Sequence, residues 1–526
     1  MCRKYIIYFS YAVHSSLIIP HPLQIFLEWI FISYLPPMTL LFWIGLYLII
    51  SISIWLYASR HVKTDTDYIL AGRGLPLYIV IATTFATWFG SETVLGTSST
   101  FLDDGLLGIL ADPFGAGLCL ILVWLFFARP LYDAGVKTLG DFYRMKYGRT
   151  VELLASSMII VSYIGWVSAQ IVALGLIGDI LTEGSTLSSL TQMQWSLIGG
   201  LIVLVYTFFG GMWSVAMTDF FQMIIIVVGM AIAAFFVTGL PGADGMGHVI
   251  STAYSAGKLD LLPDGFSLVA IIGIIASVLT MGFGSIPQQD VFQRVLSADS
   301  REHARTGGIL GGSFYIVVAF LPILLWYAAY MVAPELIAGT DDTQRILPTL
   351  ILESTPLFVQ VMFFGALLSA IMSTASGTLL APSALFMENI LRPFLPHMSD
   401  KKALFLTRAS VIGFFAIIIS FVSYKYFQEE ARIFEMVENA YKITLAWAFV
   451  PLVMAIIHKR VHTISALLSM IVGIGVWTTF EFYLGFTEIY AMPPHFFGFL
   501  MAIAGYYAGD MLYTWAGHGK HEKWVK

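Results

Sequence analysis

Nine windows of this 526-residue chain contain no Asp, Glu, Lys or Arg: residues 39–59, 153–178, 184–218, 220–243, 265–289, 306–334, 354–387, 461–480 and 489–509. Each reaches the roughly 20 apolar residues that a membrane-spanning helix needs. One such window is compatible with a buried core helix; nine in one chain require an all-α polytopic membrane protein. They are too long and too uniformly apolar for β-barrel strands, which alternate and run about 10 residues. The composition agrees, with 58% hydrophobic and only 11% charged residues, where soluble chains carry about 25% charged. Cys2 and Cys119 are the only cysteines and offer neither a disulfide framework nor a zinc spacing. No basic block suggests nucleic acid. The phosphate-loop, HExxH and GxSxG patterns are missing from the sequence, so ATP-driven transport and common hydrolase chemistry have no foundation in it.

Polar interruptions divide the apolar runs into thirteen helices, near 39–58, 75–100, 111–131, 150–180, 192–209, 213–239, 265–288, 306–333, 356–390, 405–425, 434–457, 461–484 and 492–515. Connections after odd-numbered helices, with the C-terminal tail, hold 20 of the 27 Lys and Arg residues. This alternation needs a short uncharged turn at Gly210-Gly211. The opposite loops carry acids such as Asp103, Asp104, Asp341, Asp342, Glu429 and Glu430. Positive charge stays inside, so the basic face is expected to be cytoplasmic, with the N-terminus outside and the C-terminus inside. Residues 38–516 read as one transmembrane domain, with core repeats near 75–240 and 265–457, followed by a short tail, 517–526. Residues 1–37 read as an extension, with Met38 preferred as the start; a weak signal peptide or a fourteenth helix are the alternatives. The compact chain, the short tail and the lack of N-x-[ST] sites point to a bacterial inner membrane.

Function in a bundle of this kind concentrates where the helices fail, because transporters expose backbone at the midplane in matching places of two repeats. The second helix contains Trp88-Phe89-Gly90-Ser91-Glu92, and an intramembrane acid costs about 2.5–3.5 kcal/mol on insertion scales. The seventh ends Gly282-Phe283-Gly284-Ser285-Ile286-Pro287-Gln288-Gln289-Asp290, where proline and two glycines break a helix. The two breaks lie five helices apart, the separation of two five-helix repeats. The ninth places Ala370, Ser373 and Ser376 on one face. Hydroxyls and freed carbonyls suit a hard cation such as Na⁺, while small residues equally serve helix packing.

These segments resemble the sodium:solute symporter family over roughly residues 38–460. The resemblance is carried by Ala71-Gly72-Arg73, Ala86-Thr87-Trp88, the stretch from Gly210 to Gln222, Phe292-Gln293-Arg294-Val295, and Ser369-Ala370-Ile371-Met372-Ser373-Thr374. It implies a five-plus-five inverted-repeat (LeuT-type) transporter fold with one helix before and two after. It also implies a sodium site built from the carbonyls of Ala86, Phe89 and Ala370 and the hydroxyls of Ser373 and Thr374. Asp219 and Ser376 match positions that hold a second sodium in some members, or line a sodium exit; Gly377 stands where a serine helps elsewhere.

Within the family the choline-symporter branch looks most similar, and its aromatic cage holds a quaternary ammonium by cation–π attraction. Trp88 and Trp166 match two cage residues, whereas Gln288 and Ala116 replace a tryptophan and a tyrosine. Two solutes fit these residues. An organic cation would pair with Glu92 or Asp290 and stack on Trp88 and Trp166. An amino acid-like zwitterion would hydrogen-bond Gln288 and Gln289. Asp290 is alternatively a partner of Arg294 at i+4. The expected activity is Na⁺-coupled symport by a monomer or weak homo-oligomer in the lipid bilayer. The alternatives are a proton-coupled carrier using Glu92, or a sensor that keeps the transporter fold. A channel or a membrane enzyme lacks the repeated pore segments or the convergent catalytic groups it would need.

Overall fold

The computed structural model describes residues 37–185, 187–262, 267–334, 336, 342–395, 397–428, 431–486 and 492–516. The N-terminal extension to residue 36, the tail from 517, and the acids at 341, 429 and 430 lie outside the described residues.

Every one of the thirteen expected segments is helical. The helices are α1 (Pro37–Ser59), the short α2 (Asp65–Leu70), α3 (Leu77–Trp88), α4 (Thr97–Gly108), α5 (Leu110–Ala134), the short α6 (Leu139–Tyr147), α7 (Arg149–Thr182) and α8 (Gln192–Thr238). After the surface helix α9 (Met246–Ser255) come α10 (Leu268–Gly284), α11 (Gln289–Ser297), α12 (Arg301–Val332), α13 (Ile346–Ser354), α14 (Leu357–Leu385), α15 (Asp400–Phe427), α16 (Ile433–Ile457), α17 (Thr463–Tyr483) and α18 (Pro494–Trp515). Among the described residues, nine of these helices are long and apolar enough to cross a membrane on their own. The α3–α4 and α10–α11 pairs do so as bent units, turning by 50° and 47° at the two breaks. The 47-residue α8 holds two expected segments and turns at Gly211, where φ is 52° and ψ is −155°, a conformation open to glycine alone. The expected turn therefore sits where the charge alternation needed it. The last segment, α18, has 22 residues, enough for about 33 Å of helix.

Helix starts follow local capping chemistry. Thr64 with Asp67, Thr138 with Asp141, and Thr191 with Gln194 form reciprocal capping boxes at α2, α6 and α8. Ser267, Ser300 and Ser399 cap α10, α12 and α15. These polar residues interrupt the apolar runs and satisfy amide groups that the helices leave unpaired.

Packing follows the breaks. α3 lies between α8, α12 and α14, while α7 packs on α8 and α16; α17 and α18 pair with each other at the side. The start of the first repeat is joined directly to the end of the second broken helix. The Leu75 amide donates to the Ser297 carbonyl at 3.0 Å, and the Asp299 amide donates back to Leu75 at 3.0 Å.

One end of the bundle is tied by charge. Asp65, 2% exposed, meets Arg392 at 2.9 Å and Lys137 at 3.3 Å and accepts from Thr407 at 3.0 Å. Glu388 pairs with Arg392 at 2.9 Å. Asn389 joins Asp141 at 3.0 Å and Glu152 at 2.9 Å, and accepts from Thr138 at 2.7 Å. These groups come from α2, α6, α7, α15 and the segments before α6 and after α14, so this end of the bundle forms one connected network.

On α12, glycines at 307, 308, 311 and 312 let α3 and α5 approach closely. A Cβ at Gly308 would lie 1.5 Å from the Trp124 ring, whereas one at Gly45 would meet nothing within 4 Å. Gly308→Ala is expected to lower the unfolding temperature in detergent, with overpacking costing about 1–3 kcal/mol. Gly45→Ala should leave it unchanged or raise it, since alanine favours helix by about 1 kcal/mol.

Candidate functional site

The break after Trp88 ends α3 inside the bundle. Phe89 leaves the helix at φ −87° and ψ 75°, so the last carbonyls of α3 lose their usual amide partners. The Ala86 carbonyl instead receives the Thr374 hydroxyl of α14 at 3.4 Å. Beside it, Ser373 donates to Oδ1 of Asp219 at 2.6 Å, and Thr83 of α3 donates to Oδ2. Thr87 donates to the Thr83 carbonyl at 2.7 Å. Ser376 donates to the Ser373 carbonyl at 2.9 Å and to the Tyr206 hydroxyl at 3.2 Å. Ala86, Ser373 and Thr374 of the expected sodium site and Asp219 and Ser376 of the second therefore lie in one oxygen-rich region, all fully buried. Ala370 lies within the unbroken α14, so its carbonyl has only its second lone pair to offer. The Phe89 carbonyl lies beyond the end of α3, and its ring stacks on Phe85 at 5.2 Å.

Gly377 is explained by what it faces. A Cβ there would lie 2.4 Å from Nη2 of Arg294, so a serine at this position cannot coexist with the guanidinium as placed.

A second cluster surrounds Glu92. Its Oε1 accepts from Trp166 Nε1 at 3.0 Å, and its Oε2 accepts from Gln170 Nε2 at 2.7 Å. The Gln170 carbonyl oxygen takes the Ser91 amide at 3.0 Å. A Cβ at Gly90 would stand 2.4 Å from Oε2 of Glu92, so glycine here lets the carboxylate fold back over the break. Trp88 and Tyr441 lie parallel, 6.1 Å apart and 3° from coplanar. Trp166 stands edge-on to both, at 5.8 Å and 5.4 Å, and Tyr163 stacks on Trp166 at 6.0 Å. The aromatic set that the sequence left half-empty thus gains Tyr441 and Tyr163.

The remaining candidates are placed differently from one another. Gln288 Nε2 donates to Ser162 at 3.0 Å, leaving its carbonyl oxygen without a partner among the described residues. Gln289 turns toward α6, where its carbonyl oxygen accepts the Leu139 amide at 2.7 Å. Asp290 accepts from the Tyr163 hydroxyl through Oδ1, and the Tyr163 hydroxyl accepts the Asp290 amide at 2.9 Å. Arg294 does not take up the Asp290 carboxylate. Its Nη1 donates to the Asp290 backbone carbonyl at 2.9 Å, because the side chain runs back along its own helix.

Several site residues went unread in the sequence. Tyr163 and Gln170 stand three residues before and four after Trp166, a helical-face spacing that was available. Tyr441 is far from Trp88 in sequence and has no local signal. Asp112 interrupts α5 with non-helical angles. Buried there, it accepts from Tyr315 and, at 2.9 Å, from Thr93; the Asp-Pro pair inside an apolar run was its signal. Gln170→Leu is expected to strip partners from Glu92 and from the Ser91 amide at once. Each unsatisfied buried group costs about 1–3 kcal/mol, so a lower unfolding temperature in detergent checks this bridge, with Gln170→Glu failing to restore it because it sets two carboxylates together.

Comparison with known proteins gives the family. The sodium:solute symporter family model matches residues 68–473. The high affinity choline transporter 1 of Homo sapiens is 29% identical over 358 residues, covering 66% of this chain and 60% of that protein. The sodium/glucose cotransporter of Vibrio parahaemolyticus is 25% identical over 401 residues, covering 70% of this chain and 72% of that one. The chain spans about 60% of the length of the first choline transporters it matches. Among solved structures, a substrate-bound, outward-open Na⁺-coupled sialic acid symporter shares the fold, with a TM-score of 0.74, 18% identity, and 90% of this chain and 97% of that one covered. The order of breaks, the helical architecture and the matched span agree, and the chain belongs to the sodium:solute symporter family.

Proposed function

We propose that the protein is a Na⁺-coupled symporter that imports a small polar organic solute by alternating access. The observation that carries this reading is Asp219, fully buried and held by Thr83 and Ser373 beside the open end of α3. A carboxylate in the membrane interior is costly, and Arg294, the buried positive charge near it, hydrogen-bonds the Asp290 carbonyl instead. A monovalent cation there would be met by the carboxylate, by hydroxyls of Ser373, Thr374 and Thr83, and by the Ala86 carbonyl. The negative end of the α3 dipole adds to this field. Phe89 and Ala370 would complete the oxygen set with their carbonyls, and Ser376 would orient Ser373. Inward movement of Na⁺ supplies about 2.3 kcal/mol per charge per 100 mV, besides its concentration gradient.

For the solute, the reading favours an organic cation. Glu92 has Trp166 at one oxygen and rings of Trp88 and Tyr441 close by, which suits an ammonium group by charge and by cation–π attraction. The Gln289 carbonyl oxygen is engaged with Leu139, but its amide nitrogen and the Gln288 carbonyl oxygen have no partner among the described residues, so an amino acid-like zwitterion is the alternative solute. The basic end of the bundle, with its Asp65 network, is assigned to the cytoplasm, and with it the C-terminus, in a bacterial inner membrane. Proton coupling is the second reading, favoured by one observation: Glu92 and Asp112 are both buried and bonded to neutral partners.

Titration of purified protein with Na⁺, read by tryptophan fluorescence with K⁺ and Li⁺ controls, tests the proposal. A saturable Na⁺ response is expected, weakened at least about tenfold in Ser373→Ala/Thr374→Ala and in Asp219→Asn, the scale of lost charge-assisted bonds. Uptake of labelled choline into proteoliposomes should then follow an imposed Na⁺ gradient. No Na⁺ response, together with a pH response abolished by Glu92→Gln, would replace sodium with protons as the coupling ion.

A further inference from the structure

Away from the two clusters, the first half of α8 and α15 run side by side in antiparallel order. Ser423 donates to the Met193 sulfur at 3.9 Å, a Cβ at Gly200 would lie 2.8 Å from the Phe415 ring, and Arg408 Nη2 donates to the Phe209 carbonyl at 3.1 Å. Arg408 therefore closes the seam beside the Gly210-Gly211 turn, at the basic end of the bundle and about 12 Å inside the start of α15. Its guanidinium is held in place but not neutralised. It lies 5.6 Å from the Tyr68 ring and 5.8 Å from the Phe208 ring, close enough for cation–π attraction. Among the described residues it forms no ion pair, and the Phe209 carbonyl is the one hydrogen-bond partner of its five N–H groups. The acids at this end are engaged elsewhere: Asp65 with Arg392, Lys137 and Thr407, and Glu388 with Arg392 and Lys137.

Both helices turn exposed apolar side chains outward here. On α15, Phe405 and Ile412 share the face of Arg408, with Lys401 two turns earlier on the same face, and all three are exposed. On α8, Leu201, Val205 and Phe209 form an exposed stripe at four-residue spacing. In a chain that spans the membrane such stripes meet acyl chains. A fixed, unpaired cation at the end of two lipid-facing stripes is the complement of a lipid whose headgroup is negative. We propose that Arg408, with Lys401 at its rim, binds the headgroup of one anionic phospholipid, whose acyl chains lie along the α8–α15 seam. Nη1 and the second hydrogen of Nη2 are left to grip a phosphate by two parallel bonds, the geometry in which a guanidinium excels and an ammonium does not. A free phosphate ion would leave both apolar stripes unused, so the lipid is the occupant. The bound headgroup acts on the turn of α8 through the Phe209 carbonyl. The Tyr68 hydroxyl donates to the neighbouring Thr207 carbonyl at 2.9 Å, so the lipid draws α2, α8 and α15 together at one point. The proposal stands on the membrane-spanning fold and does not need sodium coupling.

The test is native mass spectrometry of the purified full-length protein in detergent, titrated with phosphatidylglycerol or with phosphatidylcholine of the same acyl chains. Saturable binding of one phosphatidylglycerol is expected, at least about tenfold tighter than phosphatidylcholine, the scale of a charged hydrogen bond. Arg408→Gln should weaken it by a similar factor, and Arg408→Lys should keep part of it. Lys401→Gln changes an exposed side chain and leaves the packing alone. It should weaken binding several-fold, so the proposal stays testable if Arg408→Gln does not fold. Lys459→Gln removes a positive charge from the connection between α16 and α17 and should change nothing. Equal binding of the two lipids overturns the proposal. So does binding that Arg408→Lys and Lys401→Gln leave unaltered, or that Lys459→Gln weakens as much as they do, which would mean diffuse attraction to a basic surface. Displacement of the lipid by an equal concentration of inorganic phosphate also overturns it, because the apolar stripes would then contribute nothing. A missing Na⁺ response beside intact phosphatidylglycerol binding overturns the symport reading alone.

Discussion

The bond between Asp219 and its hydroxyl donors holds three parts of the bundle to one point. Asp219 comes from α8, Thr83 from α3 and Ser373 from α14. In water such bonds would add little, because each group would trade one partner for another. Inside an apolar bundle there is no such exchange, so the carboxylate fixes where α3 may sit relative to α14. That position places the broken end of α3 against Thr374, and the break in turn turns Ser91 and Glu92 toward α7. The two clusters of the site are therefore consequences of one buried charge and one interrupted helix.

Charge within the membrane region is unevenly shared. Glu92, Asp112 and Asp219 gather around the first broken helix and are satisfied by neutral donors, from Trp166, Gln170, Thr93, Tyr315, Thr83 and Ser373. Arg294 stands on the second broken helix with most of its donors idle. The two breaks differ in charge: the first presents acids alone, whereas the second carries both Asp290 and Arg294 on one short helix. The closed network of Asp65, Lys137, Glu388, Arg392 and Asn389 lies at one end of the same helices. It is made of ion pairs and hydrogen bonds that tie these segments together.

Sequence periodicity and charge were enough to determine the membrane class, the thirteen helices, the turn at Gly210-Gly211 and the two breaks. The reason is local: a charge-free run of 20 residues or a Gly-Pro cluster acts through its own backbone, whatever surrounds it. Ser373, Thr374, Ala86 and Asp219 were legible as residue types, and Trp166 and Glu92 as oddities in apolar helices. Tertiary structure alone decided their partners. That Asp219 joins Ser373 in one cluster, that Tyr441 closes the ring set with Trp88, that Gln289 serves α6, and that Arg294 ignores the Asp290 carboxylate all depend on helix rotation. A turn of a few tens of degrees about a helix axis exchanges one buried partner for another, and no one-dimensional pattern records that angle.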